Sequence, residues 1–213
     1  MKDVDHEKKP SLRISHIVYG REHIGNRVVY VLDPKGGGTE KGIAEQVVLY
    51  RWRRRMFSGY TFSGARLSPN IWRAMPIVLG GDTSVWTRLR PVEIKELTDQ
   101  SRDVLRRNHL SIPAENVTHA LIQVCGQDRL HRIVERHNDP DRSEKYGTPD
   151  LFLYATCNET GEPKIARFVE VKKPEEAVSA DQHDEIGFLQ KMGLHARLLR
   201  LVERSWPRRL KAD

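Results

Sequence analysis

The sequence predicts an α/β fold in which helices flank a central mixed sheet, and two observations carry this prediction. In the last third of the 213-residue chain, the residue pattern follows the order strand, hairpin turn, strand, helix, strand. Upstream, segments rich in Ile, Val and Tyr precede stretches with helical periodicity, which predicts an extended helical N-terminal region.

The first elements are a strand and a helix. Residues 28–32 (VVYVL) are a strand candidate that Asp33-Pro34 ends. Residues 35–38 (KGGG) form a turn that lacks the Gly-Lys-Ser/Thr of a phosphate-binding loop. We expect a helix at about residues 39–57 with Thr39 as its N-cap, ended by a stretch rich in Ser and Gly. Residues 65–92 contain several Pro, Gly and Trp residues and predict loops and short elements.

The remaining elements have clearer boundaries. Two helices are predicted at about residues 91–108 and 113–136, the second with a proline suited to its first turn. Cys125, on the second helix, is expected to be a buried apolar residue. Then follow the strands and the helix of the C-terminal third, which we place at residues 151–154, 165–172, 179–192 and 196–202.

The charge balance of the chain favours an anionic partner. Lys and Arg number 36 against 29 Asp and Glu, a formal net charge of +7. No apolar run reaches the roughly 18–20 residues of a membrane-spanning helix, and the N-terminus lacks the apolar core of a secretory signal. Two cysteines are too few for a disulfide framework or a four-thiolate zinc site. We therefore expect an intracellular protein, cytoplasmic if its origin is prokaryotic or viral, without membrane association.

The chain length suits one domain. We expect a disordered tail at residues 1–12, which are charged and contain Pro10, and a single domain at residues 13–204. Residues 205–213 continue a basic run and predict a C-terminal tail. The sequence leaves open whether the protein is a monomer or a homodimer.

Two short motifs carry the chemistry. Asp150 follows Pro149 at the start of one strand, and Glu170 and Lys172 end the next strand on one face of it. If the two strands form a hairpin, Asp150 lies beside Glu170. Adjacent carboxylates repel each other, and a divalent cation that prefers oxygen ligands removes this cost. Such an ion activates water for attack on a phosphate, and Lys172 on the same face can stabilise developing negative charge.

These motifs resemble the PD-(D/E)xK nuclease superfamily. Their context is similar to the VRR-NUC family in particular, with Gly147-Thr-Pro-Asp-Leu151, then Phe168-Val-Glu-Val-Lys172, then Gln182 on a helix. The resemblance covers about residues 145–204 and implies a restriction-endonuclease-like fold. It also implies that Asp150, Glu170 and the carbonyl oxygen of Val171 hold Mg²⁺ or Mn²⁺. Gln182 is expected near this site, although Ser179-Ala-Asp-Gln182 is also a capping-box pattern.

The superfamily also uses an acidic residue on a helix before the first motif strand. Glu45 is the best match, because it shares a helical stripe with Val48, Leu49, Trp52 and Met56. A carboxylate on an apolar stripe is costly unless it is paired or metal-bound. The helices between Glu45 and the Pro-Asp motif make this arrangement similar to the nuclease domain of the Fanconi-associated nuclease. Two later helix glutamates are alternatives, Glu115 and Glu135.

A basic run follows Glu45 on the same predicted helix. Its arginines are Arg51, Arg53, Arg54 and Arg55, with Trp52 among them. They form either a solvated helix face or a set of contacts to phosphates.

The function that the sequence predicts is metal-dependent hydrolysis of DNA, by an endonuclease rather than an exonuclease. The resemblance implies branched or flapped DNA as the substrate. Two alternatives stay open, a nucleic-acid-binding module with a degenerate site and an RNA-cleaving enzyme on the same fold.

Overall fold

A computed structural model describes residues 14–24, 27–31, 41–140 and 147–203. The strands in these ranges are β1 (Ile14–Ile24), β2 (Arg27–Val31), β3 (Lys41–Gly42), β4 (Tyr60–Arg66), β5 (Leu151–Cys157), β6 (Pro163–Lys172) and β7 (Ala196–Glu203). The helices are α1 (Ala44–Arg53), α2 (Ile71–Leu79), α3 (Thr83–Trp86), α4 (Pro91–Arg107), α5 (Glu115–Asn138) and α6 (Ala180–Lys191). The predicted tails, the glycine turn at 35–38 and the Thr39 cap lie outside the described residues.

The strands form one mixed sheet in the order β3-β2-β1-β7-β6-β5-β4. β6 and β7 are parallel, joined through α6, and β7 is parallel to β1. The β5–β6 and β4–β5 pairs are antiparallel. The predicted mixed sheet and its hairpin–helix–strand order are therefore confirmed.

Each face of the sheet is covered by a separate apolar layer. α1 packs on the face that carries Val169 and Val171, in a core that also contains Trp52. The opposite face carries Phe152 and Phe168, which pack in the larger core formed with α2, α4, α5 and α6. The period-2 alternation of the strands divides their side chains between the two layers.

The first helix is shorter than the sequence predicted. It begins at Ala44, because Lys41 and Gly42 instead pair with the end of β2. It ends at Arg53, so Met56 lies beyond the apolar stripe and is 98% exposed.

The structure places a strand where the sequence predicted a break. Residues 60–66 form β4, which pairs along its whole length with β5. Its Ser and Gly residues weaken the strand signal, and pairing with a buried neighbour outweighs their low propensity. The next segment, where the sequence predicted loops and short elements, contains the short helices α2 and α3.

The middle helices agree closely with their predictions. α4 spans Pro91–Arg107, and α5 is interrupted at Gly126, whose φ is +69°. Cys125 is buried as expected, and burial raises the pKa of its thiol to about 12. None of the helices in the described part of the chain combines the length and apolar composition needed to cross a membrane.

Candidate active site

The β5–β6 hairpin brings the two motifs together. Leu151 stands opposite Val169 in the antiparallel register, so the preceding Asp150 reaches the end of β6. The Val171 backbone N–H donates a hydrogen bond of 2.8 Å to Asp150 Oδ2. The other carboxylate oxygen of Asp150 has no hydrogen-bond partner among the described residues and is available to a ligand.

Burial and neighbouring negative charges raise the pKa values of both carboxylates. Glu170 is 4% exposed, and burial, with the neighbouring Asp150 charge, raises its pKa to about 7. Burial also raises the pKa of Asp150. The hydrogen bond from Val171 lowers this pKa, whereas the negative charge of Glu45 raises it further. A cation at this position would relieve both costs.

Lys172 is a buried cation between two glutamates. Its Nζ lies 3.2 Å from Glu170 Oε1 and 3.0 Å from Glu176 Oε1. Burial lowers the pKa of this amine, but the contacts with Glu176 and Glu170 outweigh burial and raise it. The two glutamates therefore favour the positively charged form of Lys172.

Glu176 belongs to a loop that Arg200 holds against the site. Arg200 Nη1 donates to the carbonyl oxygens of Lys173, Pro174 and Glu176, at 3.2, 2.8 and 2.9 Å. The Lys173 backbone N–H also donates to Glu176 Oε2, at 3.3 Å. Sequence reasoning missed Glu176, and its only signal was a pair of acidic residues shortly after the motif lysine.

Gln182 fills both roles that the sequence suggested for it. Its Oε1 accepts from the Ser179 backbone N–H at 3.1 Å, and its backbone N–H donates to Ser179 Oγ at 3.2 Å, completing a capping box. Its Nε2 donates to Glu170 Oε1. The cap of α6 thus fixes a side chain that contacts the buried carboxylate.

Glu45 lies in the first turn of α1, close enough to Asp150 for its charge to raise the pKa of that carboxyl. Its Oε1 is 3.9 Å from an Arg66 guanidinium nitrogen, an ion pair that the sequence did not indicate. The alternative glutamates lie elsewhere: Glu135 is exposed beside His131, and Glu115 begins α5 near Lys95.

The donor set fits a hard divalent ion held by few protein ligands. Carboxylate oxygens from Asp150 and Glu170 stand beside the backbone of Val171, and Mg²⁺ prefers oxygen ligands while keeping several waters. Among the residues that the structure describes, no group of three or more His, Cys, Asp or Glu side chains is close enough to hold a metal alone. Glu45 therefore does not form a close group with Asp150 and Glu170.

Comparison with known proteins assigns this arrangement to a family. The model of the VRR-NUC domain matches residues 87–202, which is more than half of the chain. The chain belongs to the VRR-NUC domain family. The family's match includes the Asp150, Glu170 and Lys172 motifs and the Gln182 helix. No curated protein matches the sequence closely enough to count as a relative.

A solved structure shares the fold of this VRR-NUC domain. A crystal structure of paFAN1 bound to DNA with a 2-nucleotide 5′ flap and a gap has a TM-score of 0.52 at 12% identity. That match covers 92% of this chain and 38% of the paFAN1 chain, so the VRR-NUC chain spans well under half of that protein. A paFAN1 complex with a 1-nucleotide 5′ flap has a TM-score of 0.49 at 11% identity, covering 92% and 39%.

The arginines of the basic run in this VRR-NUC chain have different surroundings in the structure. Arg51 and Arg55 face a small cavity between α1 and the sheet. Arg53 instead donates to the Gly64 carbonyl oxygen at 2.8 Å and ties α1 to β4. Arg54 is exposed at the C-cap of α1.

Proposed function

We propose that this VRR-NUC chain is a metal-dependent nuclease that hydrolyses phosphodiester bonds in DNA at the Asp150–Glu170–Lys172 centre. One observation carries the proposal: the family motif folds into a half-buried and a buried carboxylate, both with raised pKa values, beside a buried lysine. Strongly perturbed groups of this kind are typical of catalytic sites. We also propose that residues 13–204 form one nuclease domain.

The metal would be Mg²⁺ or Mn²⁺, held by Asp150, Glu170 and the Val171 carbonyl oxygen. Glu45 would join directly or through a water molecule, and its contact with Arg66 favours the indirect arrangement. When bound, such an ion lowers the pKa of a coordinated water and neutralises charge on the phosphate.

The other residues of the site orient the two carboxylates and stabilise negative charge. Lys172 presents a buried positive charge that stabilises the negative charge developing on the phosphate, or orients the attacking water. Gln182 holds one Glu170 oxygen by a hydrogen bond, and the Val171 amide holds one Asp150 oxygen. Each carboxylate thus keeps its orientation before substrate binds.

We propose branched or flapped DNA as the substrate, cut by an endonuclease rather than an exonuclease. The support is the shared fold with paFAN1, whose solved complexes contain DNA with a 5′ flap.

The test is a cleavage assay of the purified chain on duplex, flap, junction and single-stranded DNA and on RNA. Each substrate is incubated with Mg²⁺, Mn²⁺ or EDTA. We expect cleavage of flapped or branched DNA with either metal and none in EDTA. Circular substrates report endonuclease activity, because they offer no end to an exonuclease.

Variants connect that activity to the site. Asp150→Asn and Lys172→Ala should each lower the rate by on the order of 10²-fold or more, because each removes a charge that the transition state needs. Lys173→Ala is the matched control, since it removes the neighbouring exposed lysine and should change the rate little. Cleavage that survives in the Asp150→Asn and Lys172→Ala double variant, or in EDTA, would overturn the proposal.

A further inference from the structure

A small cavity on the α1 side of the sheet collects arginines from three elements. Its volume is about 220 Å³, and it lies on the sheet face that carries Val169 and Leu199, opposite to the face that carries Glu170. Four arginines line it, two from the end of α1 and the turn after it and two from strands: Arg51, Arg55, Arg167 and Arg197. The strand arginines lie far along the chain from the basic run at residues 51–55, and the sequence did not predict that the four arginines form a group.

The indole of Trp52 organises this cluster. The guanidinium of Arg55 lies 4.7 Å from its ring centroid, and that of Arg167 lies 5.3 Å away. The ring is itself fixed, because Trp52 Nε1 donates to the Tyr154 carbonyl oxygen at 3.0 Å. Cation–π contacts hold guanidinium groups in place without neutralising their charge.

The charges of the cluster are not balanced within the described residues. Burial lowers the pKa values of Arg55 and Arg167, and the only charges that add to this effect belong to other arginines of the cluster. Tyr19, close to Arg51, offers no countercharge, because burial raises the pKa of its phenol to about 12. Repulsion of this kind costs stability unless an anion relieves it.

A purely structural explanation covers only part of the cluster. Arg51 lies in the last turn of α1, where a positive charge interacts favourably with the helix dipole. Arg167 and Arg197 come from the strands β6 and β7 and gain nothing from that dipole. Their convergence on one cavity requires a different reason.

We propose that this arginine cavity binds a phosphate of the DNA strand that is cleaved at the Asp150–Glu170–Lys172 centre, an inference that rests on the proposed nuclease function. The cavity is smaller than the roughly 300–1,000 Å³ of sites for drug-sized ligands, which suits a single phosphate rather than a whole nucleotide. Planar guanidinium groups bind phosphate oxygens in a bidentate manner.

The position of the cavity favours a backbone phosphate over a free anion. Glu45 begins the helix whose end carries Arg51, six residues later, which is about 9 Å along the axis. Because a strand rises about 3.4 Å per nucleotide, this separation between Glu45 and Arg51 corresponds to roughly three nucleotides. The geometry thus provides a second contact on one bound strand, which fixes its direction relative to the metal site.

Arg197→Ala is the sharpest test, because its removal relieves repulsion on Arg55 and Arg167 and leaves their contacts with Trp52 in place. Binding of labelled flap DNA is measured by fluorescence anisotropy in EDTA, over a range of salt concentrations. We expect roughly tenfold weaker binding and a salt slope smaller by about 1, since one phosphate contact is lost. The melting temperature should not fall, whereas it should fall if Arg197 only stabilised the fold.

Arg132→Ala is the matched control, because it removes an exposed arginine of α5 outside the cavity. It should leave the salt slope unchanged. Arg55→Ala, which alters an exposed residue after α1, provides a second variant if Arg197→Ala folds poorly. If both cavity variants bind DNA like the control, the proposal is overturned.

A further experiment distinguishes a backbone phosphate of DNA from a free phosphate ion as the ligand of the cavity. Inorganic phosphate is added to the wild type and to Arg197→Ala, and the melting temperature is followed. Stabilisation of the wild type alone, combined with unchanged DNA affinity of Arg197→Ala, would identify a free-anion site and overturn the strand contact. Because the binding assay needs no catalysis, a chain that binds DNA through this cavity but cleaves nothing would refute only the proposed nuclease activity.

Discussion

At the scale of single residues, Glu170 combines burial, repulsion and two polar contacts. Its carboxylate meets Lys172 and Gln182, yet burial and Asp150 hold its pKa near 7. In the metal-free protein, the folded state therefore binds more protons than the unfolded state between about pH 4.5 and 7. The free energy of unfolding consequently falls as pH rises through this window. Above the window, Glu170 is ionised in both states and its full destabilising effect is present.

Glu170→Gln tests this pH-dependent loss of stability directly, because a glutamine is neutral at every pH. In EDTA, the variant should gain stability over the wild type at pH 8, and this gain should shrink at pH 5. Urea unfolding at both pH values measures it. Glu175→Gln, on the nearby loop, is the control and should show no such pH-dependent difference. Equal gains at the two pH values would contradict the raised pKa.

Gln182 offers a way to separate capping from site positioning. Ser179→Ala removes only the cap hydrogen bond and should cost about 1 kcal/mol of stability. Gln182→Ala removes the other half of the cap and also the contact with Glu170. It should therefore lower the cleavage rate about tenfold more than Ser179→Ala at a similar loss of stability. Equal rates for the two variants would mean that Gln182 only caps the helix.

The sequence could predict the nearness of Asp150, Glu170 and Lys172, because strand periodicity and a hairpin determine it. It could not predict Glu176, whose position depends on a loop that Arg200 holds from another strand. Nor could it predict Arg66, which reaches Glu45 from a strand that the pattern did not reveal.

At the scale of elements, β4 shows how pairing overrides a weak local signal. Gly64 stands opposite Leu153, and a Cβ there would lie 2.6 Å from the Phe152 carbonyl oxygen and 3.1 Å from Leu153 Cα. The glycine that argued against a strand is therefore what permits close approach of β4 and β5. Helices with clear caps, such as α4 and α6, were predictable because their boundaries are encoded locally.

Gly64→Ala should destabilise the protein by about 2–3 kcal/mol, because the atoms in its way belong to the backbone and cannot turn aside. Gly81→Ala is the control, since a Cβ there meets no atom within 4 Å and its effect should be within about 0.5 kcal/mol. Chemical denaturation of both variants measures the difference. A Gly64→Ala variant as stable as Gly81→Ala would show that β4 is not held at this register.

At the scale of the whole molecule, one buried ion network joins the helical layer to the helix that carries Gln182. Glu185 is fully buried on α6 and accepts from Arg136 Nε and contacts His137 Nε2, both at 3.1 Å. Arg136 also pairs with the exposed Asp184 and lies over the ring of Phe188. These partners are 48 or 49 residues apart, so only the tertiary fold brings them together.

Glu185→Ala and Asp184→Ala remove adjacent partners of the same arginine and should differ sharply. The first leaves the Arg136 charge largely buried, since its side chain is only 10% exposed, and should cost about 3–5 kcal/mol. The second removes an exposed carboxylate and should cost less than about 1 kcal/mol. Because α6 positions Gln182 against Glu170, the Glu185→Ala variant should also cleave more slowly at temperatures where it remains folded. If the two variants unfold at the same denaturant concentration, the buried network does not couple the helical layer to the site.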